Sequence, residues 1–277
     1  MSIQNPGLCP LMRLRQCAMH AALLLGMLIP LSGAWAQGFA VYISPPLYEL
    51  KGKPGKTLRQ IVEITSASRV SSGIKAYTAD WRLNPDGSAL FVDPLEPDSC
   101  RPWVAVERRE FRLAPFAKYR FRFEVSVPPD APAGECRFAL MFEGADPIAV
   151  AAMSNLPLAA RVAVIVYVAI GDARPSLQVI DRQLRKTPDN PLGALLVRNS
   201  GLAHGRMGGF LEATDATGQR FEVTPSQTPI LPTQDGLVAL QIPTEDRPGP
   251  APVLPVRIQG ALEWEGGSIP VDMVVRP

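Results

Sequence analysis

The sequence predicts an all-β protein built as two β-sandwiches in tandem, and three observations carry that expectation. Between residues 39 and 170, runs of alternating apolar and polar residues recur, separated by turn sequences roughly every 8–12 residues. That makes about seven strands, the pattern of an immunoglobulin-like sandwich. Proline is abundant, with 29 in the chain, and no segment sustains a helical period. The stretch 158–170 is apolar on both faces of an extended strand: Val162, Val164, Val166, Val168 and Ile170 on one, Ala163, Ile165, Tyr167 and Ala169 on the other. Such a strand is buried on both sides, and its β-branched residues favour strand over helix. A membrane helix needs about 20 apolar residues, and Pro157 and Arg161 interrupt this run.

The first 36 residues read as a signal peptide. Arg13 and Arg15 supply the positive region, residues 21–31 the apolar region, and Ala34-Trp35-Ala36 a cleavage site, so the chain is expected to be exported and its mature form to start at Gln37. The segment carries two Arg and no acid, which leaves 26 basic against 26 acidic residues from the 28 and 26 of the whole chain. A near-neutral exported chain gives no footing for a nucleic-acid partner. Cys9 and Cys17 leave with the signal. Cys100 and Cys136 remain, and a single pair in an oxidising compartment is expected to form a disulfide. No membrane span is expected in the mature chain.

Along the mature chain, residues 39–50 form a first strand broken by Pro45-Pro46. Proline cannot donate to a central ladder, so this strand is at an edge or bends between sheets. Residues 57–65 follow, with Leu58, Val62 and Ile64 on one face. Residues 74–83 place Tyr77, Ala79, Trp81 and Leu83 in register. Asn84-Pro85-Asp86-Gly87 turns the chain into a short return strand at 89–92. Short strands are expected at 103–108 and 110–113. Residues 119–127 show the clearest alternation, with Tyr119, Phe121, Phe123, Val125 and Val127 pointing in. Cys136, Phe138, Leu140 and Phe142 mark the next strand. Residues 144–157 form a connection unusually apolar for a loop, and 158–170 close the domain. Residues 171–175 read as a linker. Strands at 177–180, 194–197, 210–214, 221–223, 237–242, 259–264 and 271–275 make a second, smaller sandwich. The expected organisation is therefore a signal peptide at 1–36 and two tandem immunoglobulin-like domains at 37–171 and 172–277.

Several landmarks in the first domain fall in a telling order. They are a bent first strand with Pro45-Pro46, Tyr77-Thr78-Ala79-Asp80-Trp81 before an Asp-Gly turn, and Cys100-Arg101-Pro102-Trp103. Phe111-Arg112-Leu113-Ala114-Pro115 then leads into the aromatic strand, before the strand at 138–142 and a long apolar final strand. In this order the chain resembles the PapD-like periplasmic chaperones of chaperone–usher pilus assembly, as a divergent member. The resemblance implies a chaperone that lends its last strand to an unfinished fibre subunit, which is β-augmentation. The partner is then a surface-fibre subunit, with an outer-membrane usher left open as a second partner. The lent segment falls at 150–158, with Ala152, Leu156 and Leu158 as plugs and Val162 and Val164 continuing the strand. A surface loop followed by an ordinary core strand is the alternative reading of that segment. The resemblance also implies two basic residues between the domains that hold the subunit's terminal carboxylate. Arg161 is the nearest match for one, and Pro46 stands where the other is expected. The family's long-loop branch bridges its last two strands, whereas a Cys100–Cys136 bond ties the loop before Trp103 to the strand at 138–142.

Other chemistry is weakly represented. The mature chain has one histidine, His204, in Gly201-Leu202-Ala203-His204-Gly205, which reads as a surface turn, and no G-x-S-x-G sequence. No metal site is expected: the cysteine pair is better used as a disulfide, and Asp93, Glu96 and Asp98 lack calcium-loop spacing. Gly205-Arg206-Met207-Gly208-Gly209 lacks the ending of a phosphate loop. No cofactor is expected, and the chain is not expected to be an enzyme. Arg108, Arg109, Arg112, Lys118, Arg120 and Arg122 form a basic stripe that reads mainly as the wet face of a strand pair. The alternative to a chaperone is an exported structural or adhesive surface protein made of two such domains.

Overall fold

The computed structural model describes residues 39–84, 86–145, 160–181, 190, 192–243 and 252–277. The first strands form two facing sheets. One contains β1 (Val41–Ser44), β3 (Thr57–Ser66), β8 (Lys118–Ser126) and β6 (Val104–Val106), in the order β1-β3-β8-β6. The other contains β2 (Leu47–Gly52), β10 (Arg161–Ile170), β9 (Gly134–Gly144), β4 (Ser72–Leu83) and β5 (Ala89–Val92), in the order β2-β10-β9-β4-β5, with β7 (Glu110–Leu113) also paired to β4.

The Pro45-Pro46 break moves the chain from one sheet to the other. β1 pairs with β3, and β2 then pairs in parallel with β10. A proline pair interrupts the donor row where no strand could continue, so the switch costs the sheets nothing they could have kept. Between the sheets, Phe121, Phe123, Phe138, Phe142, Leu140, Val164 and Val166 are fully buried. Phe121 meets Phe142 edge to face at 5.0 Å, and Phe123 meets Phe138 in the same way at 6.1 Å. The bond between Cys100 and Cys136, with Cα atoms 5.4 Å apart, lies in this core and fastens the loop before Trp103 to β9.

Two residues of the basic stripe, Lys118 and Arg122 on β8, are ion-paired, while Arg112 lies on β7 in the other sheet. Lys118 pairs with Glu63 at 2.9 Å, Arg122 with Glu107 at 3.4 Å, and neighbouring Arg59 with Glu124 at 2.7 Å. Pairs this exposed add little stability.

Residues 177–275 carry the remaining strands: β11 (Leu177–Asp181), β12 (Ala194–Asn199), β13 (Leu211–Thr214), β14 (Arg220–Pro225), β15 (Asp235–Gln241), β16 (Val256–Trp264) and β17 (Gly267–Val275). They hydrogen-bond in the order β11-β12-β15-β14-β13-β16-β17. β14 and β15 share just two residue pairs, Thr224 with Gln241 and Pro225 with Leu240. The path folds there, so that both halves bury side chains in one core around Val197, Ala213, Val223, Val238, Leu240 and Ile258. No strand of this group pairs with β1–β10 among the described residues.

A second apolar cluster covers the outer face of the β10-sheet. Ala79, Trp81, Ala139, Met141 and Tyr167 are buried there, and Leu231, from the loop between β14 and β15, completes it. β10 is thus buried on both faces: Val164, Val166 and Val168 in the sandwich core, Tyr167 under the second unit. No helix among the described residues is long and apolar enough to cross a membrane.

Candidate functional site

β10 is the strand on which a site can be built, because its two halves have different neighbours. Its register with β9 runs from Arg161 opposite Glu143 to Ile170 opposite Gly134. On its other edge, β2 begins only at Leu47, opposite Ile165, and runs to Gly52, opposite Ile170. Arg161 to Val164 therefore have a ladder on one edge and no strand on the other among the described residues.

Hydrogen-bond parity shows which groups face the open edge. Ala160 accepts from the Gly144 N–H at 3.0 Å, so even-numbered residues turn their backbone groups toward β9. Ile165 donates to the Pro46 carbonyl at 3.1 Å, so odd-numbered residues turn theirs the other way. The N–H and C=O of Arg161 and Ala163 consequently point to the open edge. Unpaired edge groups of this kind are a template for another strand.

The side chains along that edge divide by face. Val162 is half-buried and Val164 fully buried on the core side. Ala163 and Ile165 are half-buried on the outer face, packed against the cluster that includes Tyr77 and Met141. Arg161 is exposed, opposite Glu143, and its guanidinium hydrogen-bonds the Tyr77 side chain, whose hydroxyl donates to Glu143 at 2.8 Å. Burial pushes the Tyr77 phenol up and Glu143 adds to it, while Arg161 opposes both. Among the expected subunit-binding residues, Arg161, Val162 and Val164 thus share the open half of β10. Ala152, Leu156 and Leu158 lie outside the described residues.

Arg161 is not in the cleft between the two units. The linker follows Ile170, at the opposite end of β10, so Arg161 is separated from it by the length of the strand. Pro46 is likewise in the sheet switch, where its carbonyl serves β10. The cleft is lined instead by Glu49, Lys51, Glu135, Tyr167, His204, Arg206 and Glu265.

His204 corrects an expectation. Its side chain is 8% exposed, not a surface turn residue. The ring stacks on Tyr167 with centroids 3.8 Å apart. Nδ1 lies 2.6 Å from Glu135 Oε2, which also accepts the His204 backbone N–H at 3.1 Å. Nε2 lies 3.1 Å from Glu49 Oε1 and 2.8 Å from Arg206 Nη1. Arg206 also pairs with Glu49, and Lys51 pairs with Glu265 at 2.6 Å on the rim. Burial works against the Glu49 charge, but His204 and Arg206 outweigh it and hold its carboxyl below the ordinary range. Burial pushes the Tyr167 phenol well above its ordinary value.

Sequence reasoning missed Glu135 and Glu49. Glu135 precedes Cys136, whose side chain faces the core, so in isolation it reads as solvent-facing. The signal lay further along the same face, at Ala139 and Met141, which are apolar and mark that face of β9 as covered.

No protein-family model matches the chain, and no curated protein matches it in sequence. Among solved structures it is similar to the class 5 fimbriae chaperone CfaA, at 15% identity and a TM-score of 0.45, over 86% of this chain and 99% of that one. It is also similar to a CsuC–CsuE chaperone–tip adhesion subunit complex of archaic Csu pili from Acinetobacter baumannii, at 11% identity and a TM-score of 0.44, over 84% and 97%. A third is the SafA pilin in complex with the SafB chaperone from Salmonella enterica, at 14% identity and a TM-score of 0.41, over 85% and 96%.

Proposed function

We propose that this protein is a periplasmic chaperone that binds a surface-fibre subunit by strand addition along the open half of β10. The observation that carries the reading is the edge at Arg161 and Ala163, whose backbone groups have no ladder among the described residues while β9 holds the other side of the strand. The sequence resemblance to PapD-like chaperones supplies the class of partner. In this reading the domains are 37–171 and 172–277, with export by the segment 1–36. Ala152, Leu156 and Leu158 extend the lent strand upstream of Arg161.

Parity makes a sharp test. Proline at Ala163 removes an N–H that faces the open edge and leaves the β9 ladder whole. Ala163→Pro is expected to keep the fold and abolish a one-to-one complex with a co-expressed subunit that lacks its final strand. In the same complex, the Arg161 and Ala163 amides are expected to become protected from exchange, where in the free protein they exchange readily. Full protection of both amides in the isolated monomer would falsify the reading. So would recovery of the protein as an assembled component accessible on intact cells, which is the outcome for a structural or adhesive protein.

A further inference from the structure

β17 is an outermost strand of the second unit, with β16 on one edge and no strand on the other among the described residues. Open edges are a hazard that proteins blunt by shortening, bending or charging the strand. β11, at the other end of the same path, has 5 residues and a register shift between Val179 and Asp181. In the first unit, β1 and β5 have 4 residues each and β6 has 3. β17 uses neither device. It runs unbroken for 9 residues, and its register with β16 is continuous from Gly267 to Val275. Ile269, Val271 and Met273 are half-buried against the core of the second unit, while Ser268, Pro270, Asp272 and Val274 are exposed.

β16 shows which backbone groups of β17 face the open edge. Glu263 and Gly208 exchange hydrogen bonds, with Glu263 donating at 3.0 Å and Gly208 at 2.7 Å. Odd-numbered residues of β16 therefore turn away from β17, and even-numbered ones turn toward it. Val256 stands opposite Val275 and Trp264 opposite Gly267, so odd-numbered residues of β17 bond to β16. Ser268, Pro270, Asp272 and Val274 turn their backbone groups outward. Pro270 leaves the ladder intact for that reason, since the N–H it lacks is not one that β16 needs. It removes a donor from the middle of the open edge and sets its ring there instead.

Apart from the proline, this edge is self-complementary. Two copies of β17 laid antiparallel about Val271 place residue 270 opposite Asp272 and Ser268 opposite Val274, all of them edge-facing positions. No like charges stand opposite each other in that register. Asp272 is already paired with Arg257 at 2.8 Å, so its approach brings no bare charge. The half-buried row of Ile269, Val271 and Met273 would gain cover. Pro270 breaks this pairing on both sides of its axis, because each copy lacks the N–H that the Asp272 carbonyl of the other would accept. We propose that Pro270 bars β17 from pairing with a second copy of this chain and so keeps the second unit closed to strand addition. The proposal does not depend on strand addition at β10, which belongs to a different sheet.

The test uses the mature protein and needs no subunit. Pro270→Thr restores the outward N–H with a polar, strand-favouring residue at an exposed position. Sedimentation velocity over a series of concentrations compares it with the wild type. Pro270→Thr is expected to self-associate at least tenfold more tightly than the wild type. In its associated form, the Ser268, Asp272 and Val274 amides are expected to exchange more slowly than in the wild type. Adding Ser268→Pro to Pro270→Thr removes another outward donor without touching the β16 ladder, and is expected to return self-association to the wild-type level. If Pro270→Thr does not fold, Pro270→Ser is read in the same way. A folded variant that associates no more tightly than the wild type overturns the proposal. So does association that persists undiminished when Ser268→Pro is added, or association that leaves the three amides as exchangeable as before.

Discussion

At Glu49 the competition between burial and pairing has a measurable consequence. Its carboxyl is held below the ordinary range in the folded protein, because the His204 and Arg206 contacts exceed the cost of burial. A carboxyl lowered by folding contributes stability above its unfolded value and loses it as pH falls through the folded one. The wild type is therefore expected to lose melting temperature more steeply than Glu49→Gln as pH drops below the carboxylate range. At neutral pH the variant is expected to be the less stable of the two. Melting curves at a series of pH values check this, and parallel curves would remove Glu49 from the account. The same scale shows how a fixed alternation decides roles on β10: Ala163 and Val164 differ by one position, yet one faces an open edge and the other is wholly buried beside β9. Val164→Pro is expected to melt far below Ala163→Pro, because it removes a ladder hydrogen bond and a core side chain together.

Two elements are held by devices that a substitution can reach. The Cys100–Cys136 bond closes a loop with a sequence separation of 36. In the chain-entropy model that is worth about 4 kcal/mol. The double variant Cys100→Ala, Cys136→Ala is expected to unfold at a correspondingly lower denaturant midpoint, read by tryptophan fluorescence. Gly201 is the second device. A Cβ there would stand 2.4 Å from the Arg174 carbonyl oxygen and 2.4 Å from the Ser176 nitrogen, so the turn after β12 can pack on the linker only with glycine. Gly201→Ala is expected to destabilise the second unit and to disturb the His204 environment three residues on. A melting temperature within about 1 °C of wild type, on the scale where 1 kcal/mol moves Tm by a few degrees, would contradict this. The elements themselves were legible because their signals are local. The alternation of Tyr119 to Val127 and the Asp86-Gly87 turn needed no distant information, and β8 and the β4–β5 pair appear where those signals place them. The end points were less legible: β16 starts at Val256 and β17 at Gly267, both earlier than alternation alone indicated.

For the whole molecule, the feature that matters is the joint where the two units pack on each other. Leu231 inserts into the outer face of the β10-sheet beside Trp81 and Tyr167 and is 2% exposed. Leu231→Asp buries an uncompensated charge in an apolar site, which costs several kcal/mol unless the site opens. The units are expected to come apart with each core intact. In calorimetry, the variant is expected to show two separated transitions where the wild type shows transitions coupled by the joint. In scattering, it is expected to show a larger radius of gyration. An unchanged profile in both would mean that the joint does not hold the units together.

By itself, the sequence determined the all-β class, the break of the first strand at Pro45-Pro46, the burial of β10 on both faces and the pairing of Cys100 with Cys136. Each follows from the period of side chains along one strand, from a missing donor or from a count, and none needs to know what lies across a sheet. Only the tertiary structure decided that β2 stops covering β10 at Ile165, that Arg161 stands at the far end from the cleft, and that His204 is wedged between Glu135 and Glu49. Those facts depend on which strands become neighbours and on how two cores meet, and residues 69 and 155 positions apart carry no local trace of being brought into contact.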